Sequence, residues 1–154
     1  MAFGAKTNRV ANFILGNWAV AGVYDYHSGA PLSWGNVIYN GGALNYDASN
    51  VSHSFDTTSF NTVSSQQLSA NFRTFPSRFN NLRVDATNHI NLTAAKNFHV
   101  TERVRLQFRA EAFNVANRPL FGGPDLSPTS ASFGLITSQT NSPRAVQFAM
   151  RLTF

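Results

Sequence analysis

Residues 144–154 read RAVQFAMRLTF, and this stretch decides the fold. Every even position from Val146 to Phe154 carries a large apolar side chain, and none of the odd positions does. Because successive side chains of a β-strand point to opposite faces, the alternation predicts a strand with one apolar face and one polar or small face. The stretch has 11 residues, which is about the length that a tilted strand needs to cross the hydrocarbon core of a membrane.

The same alternation occurs upstream. Over residues 103–112, apolar side chains occupy the even positions and four charges occupy odd positions. That is more charge than the outer face of a soluble sandwich needs, and it suits a strand whose polar face lines a wet lumen. Over residues 89–99 the even positions are again apolar except at Lys96, whose ammonium group is predicted to extend to lipid headgroups near a membrane surface. Residues 100–102 are few enough for a hairpin turn.

Two more strands are predicted near the beginning of the chain. Residues 18–34 alternate in the manner of a strand, and the aromatic side chains near both of its ends are typical of interfacial girdles. A partial strand is predicted over residues 9–15, ending in a turn at Gly16 and Asn17.

Two long irregular stretches complete the pattern. Residues 35–81 are rich in Asn, Ser, Thr and Gly, and residues 117–143 are rich in Pro, Gly and Ser. The connections therefore alternate between short and long, as they do at the two rims of a membrane barrel. We predict an all-β fold, an antiparallel meander of about five strands that is an open segment of a large transmembrane outer-membrane β-barrel. Strands near 18–33, 88–98, 103–115 and 145–154 should pair in sequence order.

Composition agrees with this fold and excludes several functions. Charged residues make up only 12% of the chain while aromatic residues reach 13%, which suits a surface that is buried in a larger assembly or faces something other than water. The net charge is +5, but the arginines are scattered and no nucleic-acid-binding motif accompanies them. No apolar run is long enough for a transmembrane helix. The absence of cysteine, of clustered histidines and of a nucleophile motif predicts no enzyme, no cofactor and no metal site.

Several segments resemble the TonB-dependent receptors of the Oar-like type. Residues 97–119 look like the penultimate hairpin of that family, and residues 133–154 look like its closing tail. Residues 28–32, which read SGAPL, and residues 71–76, which read NFRTFP, are similar to the family as well. The resemblance covers nearly the whole chain, and the tail is its most specific part.

The resemblance implies a barrel of about 22 strands around a plug, which imports large nutrients across the bacterial outer membrane. Residues 1–154 would be the C-terminal part of the barrel domain, with the plug, the N-terminal strands and the signal peptide absent. The implied partners are outer-membrane lipid, the rest of the parent barrel and plug, the barrel assembly machinery, and the TonB system through the missing plug.

Two groups of residues are candidates for function. The lumen-facing group, which would contact an anionic or sugar-like solute or would only pair internally and hold water, comprises Arg103, Arg105, Arg109, Glu111 and Arg151. The second group resembles the signal read by the barrel assembly machinery, although an ordinary final strand would look similar: Phe148, Met150, Leu152 and Phe154. An alternative fold, a soluble carbohydrate-binding or adhesive β-sandwich, would stack sugars on Trp34, Tyr39, Tyr46 and Phe55.

Overall fold

The structure is a computed structural model that describes residues 13–67, 69–70 and 72–154. The chain divides into two compact units. The sheet unit comprises the residues up to Tyr24, His89–Arg118 and Pro143–Phe154, and the loop unit comprises Asp25–Asn88 and Pro119–Ser142. The strands are β1 (Trp18–His27), β2 (Pro31–Ser33), β3 (Arg78–Arg83), β4 (Thr87–His99), β5 (Arg105–Phe113) and β6 (Ala145–Thr153), with single-turn 3-10 helices at Thr57–Ser59 and Ser64–Gln66.

Four strands form one antiparallel sheet in the order β1-β4-β5-β6. The pairing of β4 with β5 and of β5 with β6 is antiparallel. The carbonyl of Asn17 accepts a hydrogen bond from the amide of Asn97, while Gly22 lies against Leu92, so β1 also runs antiparallel to β4. The predicted meander, with these strands adjacent in sequence order, is confirmed. Among the described residues, the sheet does not close on itself.

The connections between these strands alternate as predicted. Before β1 the chain turns at Asn17, whose φ of 59° lies in the left-handed region that asparagine tolerates. Between β4 and β5, the amides of Val100 and Thr101 donate to the carbonyl of Val104 and close a short hairpin. The two long connections, 28–86 and 114–144, both leave from the opposite end of the sheet because the strands are antiparallel.

Three details of the strand prediction were wrong. The strand predicted over 18–34 ends at His27, and β2 pairs instead with β3 in a separate two-stranded sheet. β3 itself begins inside the stretch 35–81, which was expected to be irregular, and ends two residues beyond it. Residues 13–15 form a helical turn rather than the end of a strand, and the rest of the segment predicted over 9–15 lies outside the described residues.

The register places the apolar side chains on one face of the sheet. Leu106 lies opposite Leu152, and Phe108 lies opposite Met150, with its ring 5.9 Å from that of Phe148. β1 and β6 are exposed at every position, so their apolar side chains are not covered. A soluble sandwich would bury this face against a second sheet, whereas β1 and β6 are exposed in the part of the chain that the structure describes.

Lys96 interrupts the apolar face and is almost fully buried, with 4% of its surface exposed. Its ammonium group donates to the carbonyls of Ile14 and Gly16 at 2.8 and 2.7 Å. It also lies 4.9 Å from the centre of the Trp18 ring and 5.2 Å from that of Phe98, within the range of cation–π attraction. The prediction that Lys96 extends to lipid headgroups was therefore wrong, because the turn before β1 supplies its partners.

The replacement Lys96→Met should loosen the turn before β1. Methionine has a similar length but cannot donate, and a buried polar group that loses its partner costs about 1–3 kcal/mol. We expect the amide of Asn97, which pairs with Asn17, to exchange faster with deuterium. Amides that face from β5 toward β6, such as that of Arg109 opposite Ala149, serve as the internal control. Unchanged exchange at Asn97 would show that Lys96 does not hold this turn.

The hydrophobic core lies in the loop unit. Every buried hydrophobic side chain of the described residues belongs to it: Leu32, Trp34, Val37, Phe55, Phe60, Phe75, Leu82 and Ile136. Trp34 is central, with ring centroids of Phe55, Phe75 and Phe79 at 5.6, 5.8 and 5.2 Å. The stretches predicted to be polar loops thus fold around an aromatic cluster.

Hydrogen bonds join the two long connections within the loop unit. The backbone and hydroxyl of Ser54 both donate to the carbonyl of Gly134, at 3.1 and 2.6 Å. Gly134 has a φ of 81°, and a Cβ there would collide with the side chain of Thr57, so glycine is required. The hydroxyl of Ser130, followed by the amide of Ser127, donates to Asp125 and holds the pKa of its carboxyl below the usual value.

The described residues include no helix that is long and apolar enough to cross a membrane.

Candidate functional site

The polar face of the four-stranded sheet carries most of the candidate residues. Side chains that lie directly opposite each other share a face, and the register pairs Gln107 with Arg151 and Glu111 with Gln147. By the same register, Arg105 and Arg109 belong to this face. Four of the five residues predicted to face a lumen are therefore brought together on one surface, opposite the apolar face.

Arg103 does not belong to this surface. β5 begins at Arg105, and Arg103 lies in the hairpin, where its amide and that of Val104 approach the hydroxyl of Thr101. The prediction that Arg103 belongs to the lumen-facing group was wrong. Alternation predicts the face of a side chain only inside a strand, and Arg103 lies in the turn before β5.

The charges on the polar face are not equivalent. Arg109 forms an ion pair with Glu111, and the same carboxylate accepts a hydrogen bond from the side chain of Gln147. Side-chain exposure is 52% for Arg109 and 17% for Glu111, and a pair of this kind contributes only about 0–1 kcal/mol to stability. The ion pair matters more for binding than for stability, because Glu111 already compensates the positive charge of Arg109.

Arg105 and Arg151 carry charges that are not compensated in this way. No acidic side chain of the described residues forms an ion pair with either of them. They line a shallow hollow of about 140 Å³ together with Asn97, Gln107 and Thr153. The side chain of Gln107 donates to that of Asn97 at 2.9 Å, which fixes the amide groups at the edge of this hollow. Guanidinium groups with no acidic partner favour an anion at this end of the polar face.

The candidate assembly signal lies on the apolar face of the outermost strand. Phe148, Met150 and Leu152 are 70%, 74% and 58% exposed. Phe154 follows the last residue of β6 and is 94% exposed. Because β6 pairs only with β5 among the described strands, its other edge leaves backbone groups available to a further strand.

The aromatic residues that would have stacked sugars in the alternative fold belong to the core of the loop unit. Trp34 and Phe55 are 2% and 4% exposed, so neither ring offers an open face. Tyr46 is half-buried, and burial, together with the nearby charges of Asp85 and Asp47, raises its pKa to about 12. Tyr39 packs against Phe60 and Phe75. Sequence reasoning missed this cluster because its members are widely spaced and show no strand period.

The described residues contain no group of three or more His, Asp or Glu side chains that could hold a metal ion. Glu111, the acidic residue that β5 contributes to the polar face, is engaged by Arg109 and Gln147. The arrangement on the polar face is thus suited to contact with a polar or anionic solute through arginine and amide side chains.

Comparison with known families gives a match over most of the chain. The family described as outer membrane beta barrel domain matches residues 1–147. No curated protein and no solved structure matches the chain.

Proposed function

Because the chain belongs to the outer membrane beta barrel domain family, we propose that it forms the C-terminal part of the barrel of a TonB-dependent receptor of the Oar-like type. In this proposal the complete receptor imports large nutrients across the bacterial outer membrane. The four-stranded sheet is a section of the barrel wall in this proposal.

The observation that carries the proposal is the exposed apolar face of the sheet. Its side chains line up across strands, and yet β1 and β6 are exposed throughout. Exposed apolar surface of this extent needs a non-aqueous partner, and outer-membrane lipid supplies one. The opposite, polar face, which carries Arg105, Arg109, Glu111 and Arg151, then lines the lumen.

The open edges of the sheet support a barrel with more strands. The outer edges of β1 and β6 present N–H and C=O groups without a neighbouring strand in the described structure. In lipid each unsatisfied backbone group costs several kcal/mol, and closed barrels are the β-structures that avoid this cost. The remaining strands of the parent barrel would cover both edges. The barrel assembly machinery would recognise β6 through Phe148, Met150, Leu152 and Phe154, and the TonB system would act through the plug.

Two measurements on cells that make the protein test this proposal. The protein should fractionate with the outer membrane and migrate faster on a gel without heating than after boiling, as closed barrels do. A strain that lacks the gene should then lose growth on at least one large solute on which a strain lacking TonB also fails.

The two measurements separate the two parts of the proposal. If the protein is a heat-modifiable barrel, but its loss affects growth on none of the solutes that require TonB, the barrel assignment stands and TonB-dependent import is wrong. If the protein is found in the soluble fraction, the membrane assignment itself is wrong.

A further inference from the structure

Arg105 and Arg151 are placed so that one anion can contact both. Arg105 lies opposite Thr153, and Arg151 lies opposite Gln107, so the two arginines are diagonal neighbours on the same face of β5 and β6. Diagonal neighbours in an antiparallel pair are about 7–8 Å apart, within reach of long side chains. An oxyanion with a charge-assisted hydrogen bond of about 2.8 Å on each side fits between two such groups.

The surroundings provide further hydrogen-bond donors. The hollow between the arginines is lined by Asn97, Gln107 and Thr153, whose amide and hydroxyl groups can donate to oxygen. Glu111, the acidic residue of β5, lies further along this strand and is engaged by Arg109 and Gln147. Two positive charges that line the same hollow repel, so a bound anion would relieve the repulsion.

We propose that Arg105 and Arg151, with Asn97, Gln107 and Thr153, form a binding site for an oxyanion, a phosphate or carboxylate group carried by a solute. Arg109 takes no part in the site because Glu111 already neutralises it. The inference deepens the proposed function by naming the chemistry of a solute at the lumen face, and it rests on that function only for the origin of the solute. Binding itself does not require import.

The test uses the protein purified in dodecyl maltoside, whose headgroup is uncharged, and titration calorimetry with two probes. Pyrophosphate represents phosphate-bearing solutes and citrate represents carboxylates, so the preferred probe distinguishes the two sources. Arg105→Gln and Arg151→Gln should each weaken binding of the preferred probe at least about tenfold, because each removes a charge-assisted contact.

Arg109→Gln is the matched control, since it removes the same charge from the same face. It should change the affinity less than about threefold. Equal weakening by all three variants would show that only net charge matters, and the site would be wrong. Absence of binding of both probes to the unaltered protein would also overturn it.

A second measurement uses only the unaltered protein, so its result does not depend on whether the variants fold. In the unaltered protein, the side-chain Nε–H resonances of Arg105 and Arg151 should shift on addition of the probe, while that of Arg109 stays in place. Equal shifts of all three would contradict the site. If the protein binds the anion but does not import a solute, the proposed function is wrong and the site stands. If it imports a solute but does not bind the anion, the site is wrong and the proposed function stands.

Discussion

Trp34→Ala should unfold the loop unit. Trp34 is 2% exposed, and the rings of Phe55, Phe75 and Phe79 pack around it at 5.2–5.8 Å. Removing a buried tryptophan costs about 3–5 kcal/mol, because its apolar contacts are lost and the cavity fills only in part. The loop unit has few regular strands to compensate, so we expect this loss to expose its backbone.

Limited proteolysis with trypsin measures the effect. Cleavage after Arg73 and Arg78, which lie in the loop unit, should become much faster in the variant. Trp18→Ala is the matched control, since Trp18 is the other tryptophan of the chain, lies in β1 and is 46% exposed. It should leave cleavage at these two sites unchanged. If Trp34→Ala is cut no faster than the unaltered protein, the aromatic cluster does not hold the loop unit together.

The strands of the sheet could be predicted from the sequence because each one obeys a local rule. Apolar and polar residues have to alternate along a strand that has one face toward lipid and one toward water. In β5 and β6 this alternation predicts the face on which each side chain lies. The register then follows, since the apolar faces of neighbouring strands have to coincide. Leu106 opposite Leu152 and Phe108 opposite Met150 are the result.

The core of the loop unit could not be predicted in this way. Its members are brought together by contacts between distant segments, such as the hydrogen bonds from Ser54 to Gly134, 80 residues away. β3 was missed for a related reason: its sequence RFNNLR puts Phe79 and Leu82 at positions of opposite parity, so no period of two is visible. A stretch rich in Asn and Ser can still hold a core if its few aromatic residues meet.

The candidate site shows both the strength and the limit of local patterns. Alternation correctly places Arg105 and Arg151 on one face, but it also included Arg103, which the hairpin removes from the sheet. It could not distinguish the compensated charge of Arg109 from the two that lack an acidic partner, because compensation depends on which side chains approach each other in space. The same limit applies to Lys96, whose partners come from the turn before β1.

Phe108→Arg should destabilise the barrel strongly. Phe108 lies near the middle of β5 on the apolar face, opposite Met150 and in contact with the ring of Phe148. An arginine facing lipid at the membrane midplane costs about 2–4 kcal/mol, and the cost falls toward the interfaces. The loss should appear as a lower urea midpoint for unfolding of the complete protein from lipid vesicles.

Gln107→Arg is the control that separates the two faces, since Gln107 is the adjacent residue and points to the polar face. Its new charge would lie opposite Arg151, and like charges in that position cost about 0.2–1 kcal/mol. We therefore expect a clear difference between the variants even though both introduce arginine into the same strand. Equal losses would mean that the two faces meet similar surroundings, which would refute the assignment of one to lipid and the other to water. A larger loss for Gln107→Arg would reverse the assignment, and the arginines of the polar face would then have to contact lipid, which their charge makes untenable in a stable barrel.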